Sequence, residues 1–158
     1  MFRFLGTAVT VLTVALPSAA LAQKQAEREV LAVIESFLEG LRKKDTAQMK
    51  SHLDSLTRFT LLRPTQSGGV RVFLLSGADF VQRTTQPGGP TYDEPIRNPR
   101  VEIDADLASV WAEYQVRMEG KVTHCGFDSF QLARLNGKWK ILNVSDTFRQ
   151  QGCGEAWK

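Results

Sequence analysis

Residues 107–148 constrain the fold of this chain more than any other stretch. They read LASVWAEYQVRMEG, then KVTHCGFDSFQLARLNG, then KWKILNVSDTF. Three apolar-rich segments are separated by turn signals at Glu119-Gly120 and Asn136-Gly137. Asn-Gly between alternating segments is a strong hairpin signal, because both central positions of that turn take positive φ. The expectation is a long antiparallel meander, which must bury one face against something else.

The cover comes from upstream. Val30, Val33, Ile34, Phe37, Leu38 and Leu41 recur at spacings of three and four, which predicts an amphipathic helix over 26–41. Asp45 reads as the N-cap of a second, shorter helix with Met49 and Leu53 inward. The β-rich stretch 57–63 stops at Pro64, a Gly-rich turn follows, and 70–75 returns as a second strand. Ser76 then caps a third helix carrying Phe80 and Val81, with Asp79 at the positive end of its dipole. Residues 84–98 hold three prolines and Gly88-Gly89 without periodicity, and read as a long loop. Residues 101–103 open the main sheet and 104–106 turn into the meander. Helices segregated ahead of an antiparallel sheet give an α+β domain over 23–158.

Residues 1–22 have the form of a secretory leader. Arg3 supplies the positive start, 5–16 is an apolar core too short to span a bilayer, and Ala20-Leu21-Ala22 is a cleavage signal. Gln23 would begin a mature chain in the periplasm or outside the cell, with no membrane partner once the leader is cut. A leader kept as an anchor is the alternative. The net charge of +3 is small and the basic residues are scattered, so nucleic acid is not an expected partner. Two cysteines in an exported chain point to one structural disulfide, Cys125–Cys153. A redox-active pair is the alternative, although no C-x-x-C is present.

Strand alternation places the candidate site. If Leu135 faces Lys138 across the turn, Ile141 lies opposite Leu132, Asn143 opposite Phe130, Ser145 opposite Asp128, and Phe148 opposite Cys125. One face then runs from apolar Leu132, Ile141 and Phe130 to polar Asn143, Asp128, Ser145 and His124. A polar end on an inward face suits a small-molecule pocket. On the preceding strand, the parity of Val110, Ala112, Tyr114 and Val116 is the inward one. Asp128 and His124 sit about 13 Å apart on one strand, so they cannot touch. Two histidines without clustered acids offer no zinc or iron site, and neither a nucleophile elbow nor a phosphate-binding loop is present. No metal or cofactor is expected.

Trp111, Glu113-Tyr114, His124-Cys125-Gly126, Asp128, Phe130-Gln131-Leu132, Trp139-Lys140-Ile141 and Gly152-Cys153 carry a resemblance. The chain resembles the nuclear transport factor two-like superfamily of ketosteroid isomerases and SnoaL-like cyclases. It is most similar there to secreted members labelled lumazine-binding. The resemblance implies a cone-shaped curved sheet wrapped around the first helix, with a pocket inside. It would place Tyr114, His124, Asp128, Asn143 and Ser145 in that pocket, with Phe37 and Phe130 as its apolar wall. Three functions follow from it. The first is a non-catalytic binder of a small apolar or aromatic ligand. The second is an isomerase, cyclase or dehydratase using Asp128 or His124, with Tyr114 donating to an oxyanion. The third is a homodimeric scaffold using the outer sheet face around Trp111. The isomerases' base belongs on the strand that here reads Thr57-Arg58-Phe59-Thr60-Leu61-Leu62, which holds no acid. Their helix-one tyrosine is missing too, with Phe37 in that region, and the two pocket histidines of scytalone dehydratases would need His52 inside.

Overall fold

The computed structural model describes residues 16–157. The leader expected over 1–22 lies outside the described residues as far as residue 15. The first helix, α1 (Leu16–Lys43), begins earlier than periodicity alone places it. Pro17 suits a first helical turn, where its missing N–H is not needed. Residues 20–25 are exposed, and the buried stripe starts at Val30 and continues through Ile34, Phe37 and Leu41. No described helix is long and apolar enough to cross a membrane.

A short α2 (Thr46–His52) follows, capped by the Asp45 carboxylate, which accepts the Gln48 N–H at 2.9 Å. The strands β1 (Leu53–Pro64) and β2 (Val70–Ser76) form a hairpin. Ser76 then caps α3 (Gly77–Thr84), accepting the Asp79 N–H.

The expected long loop over 84–98 is shorter in the structure. Residues 92–93 form β3 (Tyr92–Asp93), and β4 (Ile96–Asp104) follows at once. Both pair with β5 (Leu107–Met118). Pro95 and Pro99 hide the strand pattern, and an edge position tolerates them because no inner ladder needs their N–H. The meander continues with β6 (Lys121–Leu135) and β7 (Lys138–Asp146). At the β6–β7 turn Asn136 and Gly137 take φ of 51° and 77°, as the dipeptide requires.

The sheet is mixed, which corrects the all-antiparallel expectation. Its order is β2-β1-β7-β6-β5-β3, with β4 also on β5, and β1 runs parallel to β7. That parallel seam joins the N-terminal hairpin to the C-terminal meander. It depends on a connection through most of the chain, so no local turn signal announces it. The sheet curves over α1, whose buried face packs with Phe59, Val110, Phe130, Leu132, Ile141 and Val144.

A second correction concerns register. Leu135 pairs with Lys138 and Leu132 with Ile141 as expected, but a bulge on β7 at Leu142 then shifts the ladder by one. The β1–β7 seam shifts at the same level, where the buried Thr57 hydroxyl donates to the Ile141 carbonyl at 2.6 Å. Beyond the bulge Val144 faces Phe130 and Asp146 faces Asp128. Cys125 consequently pairs with Arg149, not Phe148.

On the convex side, the Cys125–Cys153 disulfide holds the C-terminal tail against β5. Gln115, fully buried there, donates to the carbonyls of Cys153 and Glu155 and accepts the Trp157 N–H.

Candidate functional site

Strand parity builds the site. Ala112, Tyr114 and Val116 on β5 are buried, and opposite them on β6 lie Asp128, Gly126 and His124. Gly126 permits a close approach: a Cβ there would stand 2.2 Å from the Thr147 carbonyl oxygen and 2.8 Å from the Tyr114 ring. The Tyr114 hydroxyl crosses that gap and donates to the Thr147 carbonyl at 2.7 Å.

Between these strands, α1 and α3 lies a cavity of about 230 Å³. Its apolar part is aromatic: Phe37, Phe59, Phe80 and Phe130 line it, and the Phe59 and Phe80 rings stack at 3.9 Å. Its polar part holds three carboxyls. Asp128 is 1% exposed, and its Oδ2 has no hydrogen-bond partner. Asp146 faces it from β7. Glu94 reaches into the same end of the cavity from the β3–β4 junction, part-buried, and its acidity and that of Asp128 depend on each other.

The three acids differ in their partners. Asp146 accepts from the Arg63 guanidinium at 2.6 Å and from the Leu62 N–H at 3.1 Å. Burial still holds its carboxyl above the usual range, with Arg63 opposing. Asp128 is pushed well above the ordinary carboxylate range, first by burial and then by the charges of Glu94 and Asp146. Glu94 is raised to about 7, by burial and then by Asp146. Two interacting carboxyls held away from solvent cannot both ionise cheaply, so the Glu94–Asp128 pair retains a proton near neutrality.

The remaining polar groups are already engaged. Burial lowers His124 to about 4, so it is neutral at physiological pH. Its Nδ1 meets the Thr123 hydroxyl at 2.9 Å and its ring stacks on Phe148 at 4.6 Å. Burial, with the three acids adding to it, raises the Tyr114 phenol far above its normal value.

Of the residues expected in the pocket, Tyr114, His124, Asp128, Phe37 and Phe130 line the cavity. Asn143 and Ser145 do not. The Leu142 bulge turns them to the opposite face, where the Asn143 amide donates to the Ser145 hydroxyl at 2.9 Å. His52 lies away from the cavity, its Nε2 2.8 Å from the Ser36 hydroxyl. Sequence reasoning missed Glu94, Asp146 and Arg63. For Asp146 a signal existed: Ile141 and Val144 are three apart, which breaks period two and marks a bulge. Glu94, next to Asp93 in a proline-broken stretch, offered none.

No protein-family model matches this sequence, nor does any curated protein. Solved structures do match. A nuclear transport factor two-like protein with a cystatin-like fold from Novosphingobium aromaticivorans is 9% identical with a TM-score of 0.66, covering 89% of this chain and 92% of its own. The association domain of C. elegans CaMKII is 18% identical with a TM-score of 0.61, over 80% of this chain and 98% of its own. A chain described as an aromatic-ring-hydroxylating dioxygenase β subunit, also from N. aromaticivorans, is 11% identical with a TM-score of 0.66, over 80% and 91%. Identities this low speak for architecture alone, and the architecture of this chain is the cystatin-like α+β roll of the nuclear transport factor two-like proteins.

Proposed function

We propose that this chain is an exported domain that binds a small, mainly apolar or aromatic molecule inside its cone. One observation carries the reading: four phenylalanines line the cavity and a buried, unpartnered carboxyl oxygen stands at its polar end. A domain serving only as a scaffold has no use for that oxygen and gains stability by filling the space. Calorimetric titration with naphthalen-2-ylmethanol tests it. Saturable one-site binding that Leu61→Trp, which adds bulk at the cavity wall, weakens at least tenfold is the expected result. Absence of binding refutes the pocket.

Export rests on the leader pattern and agrees with a disulfide, which persists in oxidising compartments. Residues 20–25, around the expected cut after Ala22, are exposed. Intact mass of the periplasmic form should place its first residue at Gln23.

A second reading, proton-transfer catalysis on a carbonyl compound, is favoured by the Glu94–Asp128 pair, which holds an exchangeable proton in a dry site. Against it, the Tyr114 hydroxyl already spends its hydrogen on Thr147 and is not free for an oxyanion. The scaffold reading has a surface of its own, Val70, Val72 and Leu74 on edge strand β2, besides half-exposed Trp111. Light scattering at micromolar concentration decides whether these surfaces pair two copies.

A further inference from the structure

Two of the three carboxyls at the polar end of the cavity, Glu94 and Asp128, lack a counter-charge of their own. Arg63 is the cation nearest them, and it is committed: it pairs with Asp146 at 2.6 Å, donates to the Leu62 carbonyl at 2.9 Å, and lies over the Phe148 ring. Arg83 on α3 also borders the cavity but is exposed to solvent. His124 Nδ1 lies on the Thr123 hydroxyl, and the Tyr114 hydroxyl donates to the Thr147 carbonyl. What α1 presents to the cavity is apolar: Phe37, Leu38 and Leu41. Asp128 Oδ2 is thus left as a buried acceptor with no donor of its own.

We infer that the ligand bears a protonated amine, seated between the Glu94 and Asp128 carboxyls, on an apolar body that fills the aromatic part of the cavity. The inference rests on the ligand-binding reading above and names the chemical class of that ligand. An ammonium donates up to three hydrogen bonds and accepts none, which complements a Glu–Asp pair with an unpartnered oxygen. An anionic head group would be repelled by the acids that crowd this end, Asp146 among them. A metal ion is a poorer occupant, since among the described residues no group of three His, Cys, Asp or Glu is arranged to hold one. Long-range charge does not supply the preference, because the whole chain carries +3 and repels cations.

Without a cation beside it, the pair keeps a proton near neutrality. Binding of R–NH3⁺ to the pair therefore releases that proton to the buffer, leaving both carboxyls ionised against the ammonium. Affinity for the amine rises with pH while the pair still holds its proton, by up to about tenfold per pH unit for one proton released.

Calorimetry at pH 7.5 with three naphthalene probes separates the outcomes: the 2-methylamine, the 2-methanol and the 2-carboxylate. The expected order is amine over alcohol by roughly tenfold, the factor one charge-assisted hydrogen bond supplies, with the carboxylate weakest. Amine binding in buffers of different ionisation enthalpy should show proton release. Asp128→Asn, and independently Glu94→Gln, should bring the amine-to-alcohol ratio towards one. Equal binding of amine and alcohol, a preference for the carboxylate, or an amine preference that survives both substitutions overturns the inference and leaves the pocket standing. If no probe binds, the pocket reading itself fails.

Discussion

Replacing Glu94 by Gln tests the carboxyl pair without any ligand. In the folded protein this acid titrates at about 7, against 4.5 when unperturbed. Between those values the native state holds a proton that the unfolded chain does not, so stability falls as pH rises. The contribution is complete below pH 4.5 and lost once pH passes 7. A tenfold difference in proton affinity between the folded and unfolded states is worth about 1.4 kcal/mol, so the whole interval amounts to about 3 kcal/mol. Other carboxylates also tilt the profile: Glu113, for example, is lowered by its hydrogen bonds to Arg97 and Asn98 and has the opposite sign. The informative quantity is therefore the difference between wild type and Glu94→Gln, which removes the titration and keeps the side-chain shape. Urea unfolding at pH 4.5, 5.5, 6.5 and 7.5 measures it. Wild type should lose about 3 kcal/mol relative to the variant across this range, or roughly 10 °C in Tm. Parallel profiles, or a difference of opposite sign, would falsify the claim that a proton is trapped between Glu94 and Asp128.

Other substitutions probe the supports of the site. Gly126→Ala forces the Thr147 carbonyl off its 2.2 Å approach and should destabilise by about 1–3 kcal/mol, with loss of the Tyr114–Thr147 hydrogen bond; thermal unfolding measures it. Arg63→Ala leaves Asp146 buried without its ion-pair partner, at a cost of about 3 kcal/mol near neutral pH that shrinks in acid as Asp146 protonates; urea unfolding at pH 4 and 7.5 shows the contrast. Cys153→Ser opens a bridge spanning 28 residues and should lower stability by about 3 kcal/mol in oxidising buffer, with no difference from wild type under reductant; melting curves with and without dithiothreitol settle it.

Short-range chemistry is what makes parts of this fold legible in the sequence. The α1 stripe, the Asp45 and Ser76 caps, the Asn136-Gly137 turn and the inward parity of Tyr114 follow from local patterns. The chain's two cysteines have only each other to pair with. Long-range events leave weaker traces. The β1–β7 seam pairs segments some eighty residues apart, as in Leu53 with Ile141, and carries no turn signal. Its consequence, the Leu142 bulge, reverses every side chain after it. That one residue exchanges Asn143 and Ser145 for Val144 and Asp146, and so converts a mildly polar inner face into an acidic one. Glu94 depends on a still longer route, through a proline-interrupted edge strand whose position only β5 determines.

The acids also bear on which functional reading the fold supports. Asp128 and Asp146 stand directly opposite across β6 and β7, a pairing of like charges that destabilises a sheet. Burial makes it worse, and Arg63 relieves only one member. A sheet that served only to hold α1 or to pair subunits would be better served by Val or Asn at 128, which neither repel nor need a proton. Sites where local rules are broken without internal compensation are where binding or chemistry is expected. Asp128→Asn should therefore raise stability at pH 8, where the pair is most strained, while lowering selectivity for amines. A variant that loses stability and keeps its selectivity for amines would show that the carboxyl serves the fold and not a ligand.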